Sequence, residues 1–212
     1  MKVLGDAIFW VLEFLYGYLH NYGWAIIALT VLIRMLVWPL TRHQTKSMLA
    51  MKTIQPKQQE LQKKYKNQPE KLNKEIMALY RKHGVSPLGG CLPMLIQLPI
   101  LFALFSILRT YPYPVDNAGF LWITDLGQKD PLYVLPILTV ITQYISQKQM
   151  ATDPKQAQMM MAMPFVIGWM ATRFPAGLAL YWVVQNAVSI FQQWWDSRTL
   201  MTKGALAKDE GR

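Results

Sequence analysis

Gly23-Trp24-Ala25-Ile26-Ile27-Ala28-Leu29-Thr30-Val31-Leu32-Ile33-Arg34-Met35-Leu36-Val37-Trp38-Pro39-Leu40 carries one ionisable residue, Arg34, in an otherwise apolar stretch. A hydrocarbon core about 30 Å thick is crossed by a helix of about 20 apolar residues, so the stretch predicts a membrane span over residues 22–41. Working outward, further apolar runs occupy Leu92 to Leu108, Leu132 to Ile145, Met159 to Ala171 and Ala176 to Phe191. With their flanking positions they predict spans at 90–109, 131–149, 157–172 and 176–195. The fourth run is short and contains Pro164, so it reads with the fifth as a helical hairpin turning at Arg173-Phe174-Pro175. Composition agrees: 52% apolar and 16% charged residues is oilier than an ordinary soluble domain. The expected fold class is all-α, a polytopic membrane protein with five transmembrane helices.

Residues 1–20 read differently. Leu4, Ile8, Val11, Leu12, Leu15 and Leu19 share one helical face, with Lys2, Asp6 and Glu13 away from it. That pattern predicts an amphipathic helix lying in the membrane interface, with a truncated sixth span as the alternative. Asp6 and Glu13 interrupt the apolar run, so no cleavable signal peptide is expected. Cys91 is the single cysteine, which leaves no internal disulfide or multi-cysteine metal site. His20, His43 and His83 fall outside the spans at spacings that match no metal motif.

Basic residues fix the expected orientation. Of 22 Lys and Arg, eleven lie in residues 42–86, two in the 148–157 connection and four in the tail 196–212. The other side holds Lys2, Arg109, Lys129 and Arg173. Because cytoplasmic loops carry the excess of Lys and Arg, the N-terminus is expected outside and the C-terminus in the cytoplasm.

The basic segment 42–86 predicts a cytoplasmic helical hairpin. Asn67-Gln68-Pro69 separates two helices, Pro69 suiting the first turn of the second. Leu72, Ile76, Leu79 and Tyr80 mark its apolar stripe, and Gly84 ends it. Its basic faces suit solvent, anionic lipid, RNA or an acidic client. Tyr65 and Tyr80 are the aromatic residues available there to stack on bases.

Arg34 is the one cation away from the ends of the predicted spans, and an arginine at a helix centre costs at least about 2.5 kcal/mol on insertion scales. At 1.5 Å rise per residue it sits about 10 Å from the Thr41-Arg42 boundary, within partial reach of headgroups by snorkelling. Its company suggests more. Thr30 lies one turn earlier on the same face, and other spans carry Gln97, Thr139, Gln143, Ser146, Gln147, Gln185, Asn186 and Ser189. Amides and hydroxyls in hydrocarbon serve as interhelical glue, but this many around one cation predict a shared wet cavity lined by Arg34. No acidic residue falls within the predicted spans, so the cavity is expected to stay positive and to attract acidic peptide segments.

The same inventory excludes other chemistries. An ion-coupled transporter calls for embedded carboxylates. An intramembrane protease calls for a histidine base or a His pair with Glu, and no histidine lies within a span. A small-anion pore or carrier using Arg34 as its selectivity charge stays open as an alternative.

Several motifs in order resemble the YidC membrane insertase family. They are Gly23-Trp24-Ala25-Ile26-Ile27 with Thr30-Val31-Leu32-Ile33-Arg34 and Pro39-Leu40-Thr41, then Ile54-Gln55-Pro56 and Gly84 through Pro93. Gln97-Leu98-Pro99-Ile100, Phe120 through Leu126, Leu135-Pro136-Ile137-Leu138 and Phe174 through Trp182 follow. The resemblance covers residues 20–195. It implies a five-helix insertase core over 21–195 whose groove opens to cytoplasm and lipid but is closed outside.

The resemblance further implies a bacterial plasma-membrane protein that inserts small membrane proteins alone or beside the Sec translocon. It implies no nucleotide hydrolysis, no enzyme activity and no cofactor. Nascent membrane-protein clients, the lipid bilayer and the ribosome are the implied partners, with a monomer sufficient. Thr30, Arg34, Tyr181 and Trp182 match groove positions of the family, while Gln143 and Gln147 enter by spacing, and Gln97, Gln185 and Asn186 as polar positions in spans. Neither the large external domain of Gram-negative members nor the lipoprotein cysteine of many Gram-positive ones is expected. With four basic residues against Asp196, Asp209 and Glu210, the tail argues for ribosome contact through the cytoplasmic loops.

Overall fold

The computed structural model describes residues 2–84, 92–110, 119–151, 158 and 161–209, side chains being described for a smaller set. Apart from one isolated bridge between Phe120 and Ile123, every regular element among the described residues is a helix. The helices are α1 (Lys2–Leu19), α2 (Tyr22–Lys64), α3 (Pro69–Lys82), α4 (Leu92–Thr110), α5 (Val134–Met150), α6 (Met163–Ala171) and α7 (Ala176–Asp209).

The apolar stripe of α1 meets protein. Ile8 and Leu12 are buried, with Val11 and Leu15 packed against the same core, where α1 contacts α2 and α4. Leu19 is exposed. The outer face is aromatic: Trp10 stacks on Phe14 at 5.7 Å, and Phe14 meets Tyr18 edge-on at 5.1 Å.

Asn21 starts α2. Its Oδ1 accepts from the Trp24 backbone N–H at 3.2 Å, and its Nδ2 donates to the Gly119 carbonyl at 2.9 Å, an N-cap of the favoured type. The helix then runs for 43 residues through Pro39 and Pro56, about 65 Å at 1.5 Å per residue. The boundary expected at Thr41-Arg42 therefore falls within one continuous helix, which joins the first apolar run to the first hairpin helix. Both prolines are exposed, and nearby hydroxyls add bonds to the ladder, Thr41 to the Trp38 carbonyl and Thr53 to that of Ala50. Local Ser and Thr side chains help a helix tolerate proline.

Pro69 occupies the first turn of α3, and Gly84 lies beyond its end at φ +61°. Ile54 and Tyr80 are buried between α2 and α3, with Met51, Ile76 and Leu79 around them. At the tip, Lys64 and Lys71 flank the Tyr65 ring at 5.4 and 5.2 Å.

Among the described residues α2 alone is long and apolar enough to cross a membrane by length and composition. The expected span 157–172 is helical over Met163–Ala171, a rise of about 14 Å; residues 152–157, 159 and 160 lie outside the described set. This short helix packs on α5, where a Cβ at Gly168 would collide with Val140.

The core gathers at one end of the bundle. Tyr22, Ala25, Ile26 and Leu29 open α2, Leu104 and Leu108 close α4, and Ala176 to Tyr181 open α7. Residues 119–133 cover that end, burying Phe120, Ile123 and Leu126. The carbonyls of Gln128 and Leu126 accept from the backbone N–H groups of Ala176 and Gly177 at 2.6 and 2.9 Å, satisfying donors that a helix start leaves free. Buried Asp130 accepts from Trp122 Nε1 at 3.0 Å and from the backbone N–H groups of Leu132 and Leu135 at 3.1 and 2.7 Å.

Candidate functional site

A polar seam runs between α2 and α7. Their pairings advance together along both chains, so the helices run parallel. Arg34 Nη2 donates to the Gln185 carbonyl at 3.2 Å, and Gln192 Nε2 donates to the Arg34 carbonyl at 3.2 Å. Trp38 Nε1 donates to Asp196 Oδ2 at 3.1 Å, and Arg42 Nε stands 3.5 Å from Asp196 Oδ1. Arg34, Trp38 and Arg42 follow one another at four-residue steps, the spacing that stacks side chains on one helical face.

Asp196, one residue beyond the expected span 176–195, is a buried carboxylate that the sequence reading assigns to the tail. Its residue is 1% exposed. The physical reason is that α7 continues through Asp209, so the turn holding Asp196 lies against α2 instead of belonging to a separate tail. A buried carboxylate is costly unless paired, and Trp38 with Arg42 supplies the partners.

Several buried polar atoms have no protein hydrogen-bond partner among the described residues: Arg34 Nε, Gln192 Oε1 and Asp196 Oδ1 on this seam, and elsewhere both side-chain amide atoms of Gln44 and the Oε1 atoms of Gln149 and Gln193. Such atoms cost about 1–3 kcal/mol each when left dry. Those on the seam give it donors and acceptors suited to a hydrated segment.

The remaining residues singled out by sequence divide into two groups. Gln143, Trp182 and Asn186 meet on another interface of α7, against α5. Gln143 Oε1 accepts from Trp182 Nε1 at 3.2 Å and from Asn186 Nδ2 at 3.0 Å, while Asn186 Nδ2 also lies 3.3 Å from Thr142 Oγ1. Gln147 is half-buried one turn further along α5, and its carbonyl accepts from Ala151 N–H at 2.9 Å.

Thr30 is 1% exposed, and its hydroxyl donates to the Ile26 carbonyl at 2.6 Å, so it turns back on its own helix. Tyr181 is buried within the core at the start of α7. Gln185 contributes its main-chain carbonyl to Arg34. The side chain of Gln97 lies outside the described residues. Trp38, Arg42, Gln44, Gln192, Gln193 and Asp196 were not anticipated; the four-residue steps from Arg34 and from Gln192 were the available signal.

A further tie joins α2 to α5. Lys52 Nζ donates to the Gln149 carbonyl at 2.6 Å, in the last turn of α5, where a cation complements the helix dipole. Burial lowers the Lys52 pKa below the ordinary lysine value. On α2 near Arg34, Ala28, Val31, Leu32, Met35 and Leu36 form an open apolar surface.

Described residues that are helical in their regular elements, with apolar side chains turned outward and a half-buried cation between helices, have the character of a helical membrane protein. The chain belongs to the family described as 60Kd inner membrane protein, whose model matches residues 14–203. It is similar to the membrane protein insertase YidC of Cupriavidus taiwanensis, 47% identical over 210 residues, a match covering 98% of this chain and 37% of that protein. The membrane protein insertase YidC of Geobacter sulfurreducens is 46% identical over 206 residues, covering 96% and 39%. A crystal structure of an active YidC insertase with its first transmembrane domain resolved superposes with a TM-score of 0.74 at 29% identity, covering 89% of this chain and 45% of that one. The chain thus spans less than two fifths of the length of these two curated relatives.

Proposed function

We propose that this chain is a membrane protein insertase and chaperone of the bacterial plasma membrane, moving hydrophilic client segments along the seam around Arg34. One observation carries the reading: in a chain whose relatives are named insertases, the half-buried side chain of Arg34 lies between α2 and α7, donating to the Gln185 carbonyl. Five spans, an interfacial α1, an external N-terminus and a cytoplasmic hairpin and C-terminus complete the arrangement. Exposed Leu32, Met35, Leu36, Phe102, Ile137, Ile141, Phe165 and Phe191 support lipid contact, since apolar patches this extensive are a liability in water.

The mechanism follows from these parts. An acidic or polar client segment leaves the cytoplasm, exchanges water for the amides and cation of the seam, and so crosses a shortened hydrocarbon barrier. Its apolar span partitions into lipid along the apolar surface beside Met35, gaining about 25 cal/mol per Å² of apolar surface removed from water. The membrane potential assists acidic segments moving outward. Thr30, Gln97, Gln143, Gln147, Gln185, Asn186, Tyr181 and Trp182 shape this path. Nucleotide and cofactor have no role in it, one copy suffices, and the Sec translocon and ribosome deliver clients, the latter through the cytoplasmic loops.

Protease-protected insertion of a small single-span client into liposomes tests the reading. Wild type inserts a client with an acidic external segment, and Arg34→Ala loses most of that activity. Insertion no greater than in empty liposomes, or anion conductance in place of insertion, overturns it.

A further inference from the structure

Asp196 does chemistry that the insertase reading does not use. It is an ionisable group at 1% exposure in the last turns of the α2–α7 contact. Its two partners differ in kind. Trp38 is a neutral donor that either an aspartate or an asparagine oxygen satisfies. Arg42 is a cation whose side chain is 47% exposed, so it has solvent available and does not depend on a buried partner. The negative charge is therefore not needed to hold the helices together; an amide of the same shape retains the Trp38 bond.

What the charge does is electrostatic. Arg42 lies eight residues beyond Arg34, about 12 Å along the helix toward the cytoplasm. A client segment travelling toward Arg34 passes Arg42 first. With Asp196 ionised the three groups sum to one positive charge; without it they sum to two. Lys46 and Arg198 lie within about a turn of the pair and are exposed, where solvent and salt screen them. Asp196 sits behind Arg42 in the protein and is screened much less.

We propose that Asp196 is a specificity-determining residue. By pairing with Arg42 it limits how strongly the cytoplasmic mouth of the seam prefers acidic client segments over neutral and basic ones. The proposal rests on the insertase reading. A unit charge about 10 Å from the path, at an effective dielectric between that of a protein surface and that of water, changes occupancy about threefold.

The test uses three clients with one common span and acidic, neutral or basic external segments, inserted into liposomes without a membrane potential. Asp196→Asn raises the acidic-to-neutral insertion ratio about threefold and lowers the basic-to-neutral ratio. Adding Arg42→Gln to Asp196→Asn returns both ratios to wild type, which a purely structural role for Asp196 would not do. Arg42→Gln alone leaves Asp196 uncompensated and lowers the acidic-to-neutral ratio, keeping the idea testable if Asp196→Asn fails to fold. Unchanged ratios, or an equal loss for all three clients without rescue, overturn it. Failure of wild type to insert any client rejects the insertase reading itself.

Discussion

The indole N–H of Trp38 donates to Oδ2 of Asp196 at 3.1 Å, joining α2 to α7 where the sequence of α7 reads as leaving the membrane. A hydrogen bond to a charged group contributes about 1.5–3 kcal/mol. Trp38→Phe keeps an aromatic ring but removes the donor and the pyrrole half of the indole, so it is expected to lower thermal stability in detergent by at least that order. Asp196→Asn is expected to lower it less, since an acceptor remains. The order of the two unfolding temperatures is the check.

Arg34→Lys is expected to preserve most insertion. The Gln185 carbonyl accepts one donor from Arg34, and an ammonium donates equally well, so the bidentate fork that distinguishes arginine is not engaged there. Arg34→Ala is expected to affect acidic clients more than neutral ones. A parallel loss across all clients would count against an electrostatic role.

Gly168 touches Val140 so closely that an added Cβ collides. Gly168→Ala is expected to cost about 1–3 kcal/mol, as overpacking does. Val140→Ala in the same chain recovers part of the loss, and the coupling between the two sites shows whether α5 and α6 meet there.

Asp130 accepts three hydrogen bonds that tie residues 119–133 to the start of α5. Asp130→Ala strands the Trp122 indole and two backbone donors. Faster hydrogen exchange is expected at Leu132 and Leu135, with α3 unaffected. Uniform exchange across the chain would mean that the loop has no separate stability.

Lys52→Met removes the donor to Gln149 while keeping an apolar stem. The last turn of α5 is expected to exchange faster, and spin labels on α3 and α5 to report a broader distance distribution. An unchanged distribution would place the anchoring elsewhere.

Residues 23–40 made a membrane-spanning helix legible, because eighteen residues with one charge admit few readings; the family became legible only through several motifs in order from Gly23 to Trp182. Pro69 and Gly84 likewise carry local chemistry that marks helix ends without help from tertiary structure. Asp196 was not legible. Following Trp194-Trp195 and preceding Arg198, it reads as an interfacial end, and only the approach of Trp38 and Arg42 from 158 and 154 residues away in sequence reveals its burial. The continuity of α2 was hidden for a different reason: Pro39 and the composition change at Arg42 both signal an ending, yet the helix bonds persist. Thr30 was placed correctly one turn from Arg34, but the preference of its hydroxyl for Ile26 depends on a rotamer that spacing does not fix.

The unbroken length of α2 makes it a lever. With Asn21 pinned at one end, Asp196 gripping it near the middle and Lys52 bracing it further along, a load on the basic tip at Lys64 meets a fixed fulcrum instead of a slack tether. The two prolines, each lacking one rung of the ladder, are where such a beam bends first.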